Sequence, residues 1–328
     1  MNLAVNEFSE SIKPYLNKKI KKCYVALSGG VDSVVLLHEL SKFRQIFDFN
    51  LIAIHINHNI QKESLSWKKA CQKICHEENI KLISRTLRKR KCPSSNLEKN
   101  LRDERYKIFE KVLEKNSLLF MGHHLDDAIE TFFLRAMRGS GIEGLTSIPI
   151  QRNLGNGKLV RPFLNFPKSE IISKAKKDKL IFIQDPSNKD NSFDRNYLRN
   201  IAIPKLEKRW PAYRKNLSQL IKNLNEANSV LSIHTEYDFN EVKINKNNIL
   251  IDKLKNLSLT RQKNVIFYWV NLNGLNQPNA KVINLFFNKF MKDNKSPKAK
   301  FIWGSSSKKG SVCILKTSKK LNISKLST

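Results

Sequence analysis

Acidic residues are scarce in this chain: 29 Asp and Glu stand against 60 Lys and Arg, for a formal net charge of +31 over 328 residues. That imbalance points to a polyanionic partner, because neutralising phosphates and releasing their counterions is the sequence-independent part of nucleic-acid affinity. Lys outnumbers Arg by 45 to 15, and abundant Lys, Asn and Ile are also what coding bias produces. The arginines are therefore the more telling residues, since an ammonium does not replace a planar, bidentate guanidinium. Cysteine is scarce as well. Cys23, Cys71, Cys75, Cys92 and Cys313 are odd in number and form no C-x-x-C pair, which excludes a disulfide framework and a zinc ribbon and fits a reducing cytoplasm. No apolar run is long enough to span a membrane, and Met1 to Tyr15, with Glu7 and Glu10 inside it, lacks the continuous apolar core of a signal peptide. Internal repeats and low-complexity tracts are also lacking.

What is present is alternation. Short apolar runs at Cys23 to Leu27, Leu51 to Asn57, Ile80 to Leu87 and Leu118 to Met121 are each followed by a helical pattern, at Val34 to Phe43, Trp67 to Glu78, Leu97 to Glu114 and Leu125 to Met137. This predicts an α/β fold with a doubly wound, mainly parallel sheet and helices on both faces. Ligands of such sheets collect beyond the carboxyl ends of the strands, so the loops starting at Ser28, His55 and Gly122 are expected to share one crevice. Gly139 to Gly157 reads as an irregular excursion before a strand at Leu159 to Leu164, with helices at Ser169 to Lys179 and Arg195 to Lys208 closing the domain. The length accommodates a second domain. Trp210-Pro211 marks the boundary, giving a catalytic domain over 1–210 and, over 211–328, a linker helix and a smaller, mostly helical basic domain. From residue 211 onward there are 21 Lys and Arg against 6 Asp and Glu, a composition that suits RNA docking and equally suits solvated lysines. Within that domain Ser258 to Asn271 and Asn279 to Met291 read as helices, and Phe301 to Trp303 with Val312 to Leu315 as a hairpin.

Ser28-Gly29-Gly30-Val31-Asp32-Ser33 lies between the first strand and its helix. Two glycines there let the backbone turn sharply beside a ligand, and the unpaired amides of a helix's first turn favour an anion. Ser28 and Ser33 add hydroxyl donors, while the anionic Asp32 suits orienting amides or a metal ion better than touching phosphate. The bland reading of a bare SGG is a capped glycine turn; the whole hexapeptide in this setting favours a phosphate cradle. It is neither a Walker A loop, having no Lys-Ser or Lys-Thr after the glycines, nor GxGxxG. The pattern resembles the pyrophosphate loop of the N-type ATP pyrophosphatases, which implies ATP as cosubstrate, adenylation of a substrate oxygen and release of pyrophosphate.

A second stretch, Gly122-His123-His124-Leu125-Asp126-Asp127-Ala128-Ile129-Glu130-Thr131, begins directly after a strand. Asp127 and Glu130 lie three apart and share one helix face, which suits an ammonium group or a hydrated magnesium ion; they could instead pair with Arg135 or Arg138. Adjacent histidines lack the i, i+4 spacing that zinc wants, so a hydrogen-bonding role fits them better. Further along come Asn96-Leu97-Glu98, Leu101-Arg102-Asp103-Glu104-Arg105-Tyr106, Arg138-Gly139-Ser140-Gly141 and Arg161-Pro162. Asp185-Pro186-Ser187-Asn188, which favours a turn and cap, leads to Arg195-Asn196-Tyr197-Leu198-Arg199-Asn200.

Taken in order, these blocks resemble the tRNA(Ile)-lysidine synthetases, with specific motifs from Tyr24 to Pro211 and a looser likeness to about residue 317. The resemblance implies ligation of free L-lysine to carbon 2 of the wobble cytidine in the CAU anticodon of tRNA(Ile), through an adenylated cytidine, so that decoding switches from AUG to AUA. It implies ATP held by Ser28 to Ser33, with Mg between the phosphates, and catalytic roles for Asp32, Asp127, Glu130 and Arg195. Asp127 and Glu130 would recruit lysine and help deprotonate an amine whose unperturbed pKa is about 10.4. Arg102, Arg105, His124 and Arg199 would contact tRNA or the adenylate. Longer members carry a further C-terminal domain. The rival within the superfamily is a tRNA base thiolase, which wants a reactive cysteine pair or cluster ligands; Cys71 and Cys75 fall on a helix away from the strand ends.

Overall fold

The computed structural model describes residues 6–44, 46–57, 64–87, 97–146, 148–292, 298–304 and 311–326. Cys92 and Asn96 lie outside the described residues, as do His58, which follows the His55-Ile56-Asn57 segment, and the four consecutive basic residues Arg88-Lys89-Arg90-Lys91, a cluster that suits a polyanionic partner. The chain divides into two compact units, Met1–Leu224 and Asn225–Thr328.

In the first unit the strands are β1 (Lys22–Ala26), β2 (Asn50–Asn57), β3 (Lys81–Thr86), β4 (Ser117–Phe120), β5 (Gln151–Leu154) and β6 (Gly157–Val160), in the order β3-β2-β1-β4-β6-β5. All neighbours pair in parallel except β5, which turns back antiparallel on β6. The helices are α1 (Glu7–Ile12), α2 (Val31–Phe43), α3 (Ser64–Glu77), α4 (Leu97–Val112), α5 (Leu125–Met137), α6 (Ile142–Leu145), α7 (Lys168–Lys177), α8 (Asp194–Tyr197) and α9 (Ile203–Arg209), followed by α10 (Tyr213–Val242). Strands buried on both faces carry apolar residues at nearly every position. Cys23 and Val25 of β1 and Leu118 and Phe120 of β4 pack with α1, α2, α3 and α7 on one face. Tyr24 and Leu119, one residue out of step, pack with Tyr106 and Phe109 of α4 and with Leu113 just after it on the other. From β1 the chain steps outward to β2 and β3, then returns across the sheet to β4. The sheet therefore reverses direction between β1 and β4, and the crevice beyond their carboxyl ends is the binding position of doubly wound folds.

The excursion expected over Gly139 to Gly157 contains α6 and β5, so its second half is ordered as an edge strand. The helix expected over Arg195 to Lys208 is three pieces: α8, a wide π-type turn at Leu198–Ala202, and α9. Pro211 sits in the turn between α9 and α10, and the division between the units falls inside α10.

The second unit packs α11 (Ile251–Lys255), α12 (Leu259–Leu272) and α13 (Ala280–Leu285), which runs into a wide turn at Phe286–Phe290, with an antiparallel sheet. Its strands are β7 (Lys243–Asn245), β8 (Asn248–Leu250), β9 (Ala299–Trp303), β10 (Val312–Lys316) and β11 (Lys320–Lys325), in the order β7-β8-β11-β10-β9. The expected hairpin, β9 with β10, is thus extended by three more strands. Trp269, Phe286, Ile314 and Leu321 form the centre of its core, and the buried Trp269 indole donates to the Lys246 carbonyl at 2.9 Å. From residue 253 to 328, sixteen Lys and Arg stand against a single acidic residue, Asp293.

Candidate active site

The loop after β1 turns at Gly29, whose φ of 88° is the left-handed conformation that glycine adopts without steric cost. A side chain there would also collide with Ile183, whose Cδ1 lies 2.5 Å from the place of a Cβ. Ile183 donates its amide to the Gly29 carbonyl at 2.8 Å, tying the loop to the segment after α7. Ser33 Oγ donates to the Gly30 carbonyl (2.9 Å) and accepts from the Ser28 amide (3.2 Å), so the two serines hold the turn closed around the N-terminus of α2. Gly30 caps α2 without a side chain, which leaves first-turn amides available to an anion. Gly122, after β4, packs directly on this turn: a Cβ on it would lie 2.8 Å from the Asp32 carbonyl oxygen.

Asp32 sits in the first turn of α2. Its Oδ1 is buried and accepts no hydrogen bond, and the nearest cationic atom to its Oδ2 is Lys168 Nζ at 3.5 Å. His124 Nε2 stands 3.8 Å from Asp32 and 3.5 Å from Asp127. His124 also caps α5. Its Nδ1 accepts from the Asp127 amide at 3.4 Å, and Asp127 Oδ2 accepts the His124 amide at 3.1 Å, a reciprocal capping box. An orphaned carboxylate oxygen at a helix N-terminus, with further carboxylates one loop away, is the donor set a divalent cation on a polyphosphate takes. These residues fit magnesium with ATP.

Glu130 and Asp127 do share a face of α5, and their partners come from the far end of the unit. Glu130, 1% exposed, accepts from Arg195 Nε at 2.7 Å, Arg199 Nε at 2.7 Å and Arg199 Nη2 at 3.0 Å. Both guanidinium groups also approach Asp127 Oδ1, at 3.6 and 3.4 Å. Arg195 lies in the first turn of α8, and Arg199 lies inside the wide turn that follows. Burial pushes the Asp127 carboxyl up, but His124, His123, Arg195 and the His124 amide outweigh it and hold the group down at about 2. Asp126 points elsewhere, taking the Lys168 amide at 2.8 Å and Arg214 Nε at 3.0 Å, and Arg214 also pairs with Glu207. Arg135 and Arg138, the alternative partners of the two carboxylates, are engaged otherwise: Arg135 donates to the Gly144 and Thr146 carbonyls, and Arg138 reaches Asp194.

His123 faces the β6 side. Its Nδ1 accepts from Arg161 Nε at 3.2 Å, and burial, opposed by Asp127 and reinforced by Arg161, Arg105 and Arg195, lowers its pKa to about 3. It is a neutral ring at any physiological pH. Arg102 and Arg105 are not at the carboxylates; they lie on α4 about the Tyr106 ring, with guanidinium carbons 5.4 and 5.9 Å from its centroid. His55, at the end of β2, is buried and bonds the Leu27 carbonyl through Nδ1 at 3.0 Å. Asp185 caps a short 3-10 turn at Pro186–Lys189, accepting from the Ser187 amide at 2.8 Å.

The structure therefore joins Asp127, Glu130, Arg195 and Arg199 in one network and sets Asp32 beside His124. Lys168, Arg214, Arg152 and Tyr106 belong to these surroundings and were not singled out as site residues from the sequence. A lysine one residue after Pro167, at the start of a helix and downstream of Arg161-Pro162, was the available signal for Lys168.

The profile of the PP-loop domain family matches residues 3–206. The tRNA(Ile)-lysidine synthase of Legionella pneumophila (strain Lens) is 37% identical over 264 residues, which make up 80% of this chain and 61% of that protein. The one of Buchnera aphidicola subsp. Acyrthosiphon pisum (strain APS) is 37% identical over 296 residues, 88% of this chain and 65% of that protein. The chain spans a little under two thirds of the length of these curated relatives. Among solved structures, the U34-tRNA thiolase NcsA from Methanococcus maripaludis with its 4Fe-4S cluster superposes with a TM-score of 0.53 at 21% identity, covering 67% of this chain and 78% of that chain. That likeness is one of fold.

Proposed function

The chain belongs to the PP-loop family of ATP-utilising domains, and from that premise we propose that it ligates free L-lysine to carbon 2 of the wobble cytidine in the CAU anticodon of tRNA(Ile). The observation that carries the reading is the pairing of Asp127 and Glu130 with Arg195 and Arg199 beside the anion-binding turn. Two carboxylates and two guanidinium groups balance in charge, so an incoming ammonium and an incoming phosphate can each take one partner from the other. Lysine's side-chain ammonium would take Asp127 and Glu130, and the freed Arg195 and Arg199 would turn to the adenylate.

In the first step the cytosine carbonyl oxygen attacks the α-phosphorus of ATP and the bond to pyrophosphate breaks. The first-turn amides of α2, with Ser28 and Ser33, hold the departing pyrophosphate. Magnesium, when bound, would neutralise charge between the phosphates, and Asp32 Oδ1, buried and without a hydrogen bond, would be the oxygen that faces it. In the second step the lysine nitrogen attacks carbon 2, the bond to oxygen breaks and AMP leaves. The amine must shed a proton as it attacks; Asp127, a strongly acidic carboxyl, would bind the ammonium, and Glu130, released from its arginines, would take the proton as the new bond forms. His124, between Asp32 and Asp127, keeps the two halves of the site in register.

Residues 211–328 would supply the linker helix and a basic RNA-docking domain, and their single acidic residue beyond Asp252 supports that assignment. Thiolation is disfavoured by the thiols among the described residues. Cys23, Cys71, Cys75 and Cys313 are all buried, and burial raises Cys71 to about 12 and Cys75 to about 11, far from the thiolate that sulfur transfer needs. Among the described residues no helix is long and apolar enough to cross a membrane, which accords with a cytoplasmic enzyme.

The deciding experiment is incubation with ATP, magnesium, labelled lysine and a CAU-anticodon tRNA transcript, beside a transcript carrying uridine at the wobble position. Label is expected on the first alone. Absence of label from both would sink the reading.

A further inference from the structure

A second charged centre stands on the β6 side of the crevice, and unlike the carboxylate network it is not balanced. Arg161 follows β6 directly and is 1% exposed. Its donors go to neutral acceptors alone: His123 Nδ1 at 3.2 Å, the Pro149 carbonyl at 2.6 Å and the Tyr106 hydroxyl at 3.3 Å. Arg152 from β5 and Arg102 from α4 lie 4.8 and 5.4 Å from the centroid of the same Tyr106 ring. None of these three arginines pairs with a carboxylate among the described residues.

Neutral acceptors satisfy N–H groups without cancelling charge, and a guanidinium does not escape by losing its proton. Assembling these three around one ring, which Arg105 also approaches at 5.9 Å, is therefore unfavourable unless an anion completes the set. His123 adds no positive charge and offers Arg161 an acceptor, so the frame holds Arg161 rigidly while its field reaches the crevice. Arg102 is exposed and Arg152 half-buried, so a ligand can reach their outward edges.

We propose that Arg102, Arg152 and Arg161, gathered about Tyr106, form a clasp for a phosphodiester of the RNA strand next to the base being modified. This rests on RNA being the substrate proposed above. The nucleotide triphosphate has its own cradle on the β1 side of β4, whereas the clasp lies on the β6 side, where β5 is the edge of the sheet. Guanidinium groups bind phosphate through two parallel bonds, and arginine and aromatic planes together suit an unpaired strand.

The test compares the wild-type chain with Arg152→Ala and Arg102→Ala. Binding of a CAU-anticodon tRNA transcript, and of the isolated anticodon stem-loop, is measured by fluorescence anisotropy over a salt series, with ATP affinity titrated separately. Each substitution should weaken both RNAs about five- to tenfold at moderate salt and lower the slope of log K against log salt by about 1. ATP affinity should not change. Thermal melting shows whether each variant is folded, and Arg152→Lys should restore the salt slope but only part of the affinity. RNA affinity and slope equal to wild type in both alanine variants would overturn the clasp. So would weakened ATP binding with RNA binding intact, which would make the anion the nucleotide's. RNA binding needs no lysine, so the two readings fail separately. Arg152-dependent stem-loop binding without lysine transfer would sink only the ligase reading, and lysine transfer with unchanged binding by the variants would sink only the clasp.

Discussion

Replacing Glu130 with glutamine removes the charge that holds Arg195 and Arg199 while keeping the side-chain volume. Three charge-assisted bonds end on this carboxylate, and at about 1.5–3 kcal/mol each they would nominally sum to well over 4 kcal/mol. Removing one partner of a buried pair costs about 3–5 kcal/mol as measured, because the other charge is left behind. Here the arginine side chains are 25% and 27% exposed, so they can turn partly to water, and the amide oxygen still accepts one bond. The expected cost is about 2–3 kcal/mol, below that range. Two compact units need not unfold together, so a whole-chain transition would blur the effect. Hydrogen exchange at the amides of α5, α8 and α9 reads it locally. At 1.4 kcal/mol per tenfold, protection there should fall by about 30- to 150-fold. Arg199→Met added to Glu130→Gln should cost little more, because the partners act as one network. A fall in protection below about threefold, or additive effects in the double variant, would refute the argument that Glu130 organises the arginines.

Two further outcomes follow from neighbouring contacts. His123 is held neutral down to about pH 3, whereas in the unfolded chain it takes a proton near about 6.5; its contribution is therefore intact above about 6.5 and is lost progressively as pH falls toward 3. His123→Asn should flatten the acid limb of melting temperature against pH in that window, and an unchanged limb would contradict the burial argument. Gly122→Ala places a methyl group 2.8 Å from the Asp32 carbonyl oxygen, a backbone atom with little room to yield. It should destabilise the first unit by about 1–3 kcal/mol and weaken ATP binding more than RNA binding; nucleotide titration at wild-type affinity would show that the two loops are not in the contact described.

Strands β1, β2 and β4 were legible because a sheet buried on both faces demands continuous apolar runs, and α5 because its helical pattern begins directly after a strand; its cap, His124, is not a residue type that announces a helix start. β5 was not, since Gln151-Arg152-Asn153-Leu154 is a polar edge strand with a single partner. β7, β8 and β11 are short and rich in Asn and Lys, and only Ile249, Leu321 and Ile323 among them are buried, too few for a pattern of period two to stand out. At the site, spacing alone put Asp127 and Glu130 on one face. Their partners could not be read that way, because Arg195 and Arg199 come from another part of the chain and periodicity is blind to tertiary pairing. Tyr106 stood inside a recognised block with Arg102 and Arg105, but its convergence with Arg152 and Arg161 from distant strands has no local signature.

The wide turn at Leu198–Ala202 has a consequence for what length changes this protein can absorb. An α-helix advances about 100° per residue, and the extra residue accommodated in the π-type turn sets the rotation of α9 relative to α8. Shortening that turn by one residue would restore a regular helix, yet it would swing Ile203, which packs with Ile129 and Tyr213, out of its seat or else drag Arg195 and Arg199 off Glu130. Most surface segments of a domain tolerate insertion and deletion; these five residues work as a spacer of fixed length, and counting them is as informative as naming them.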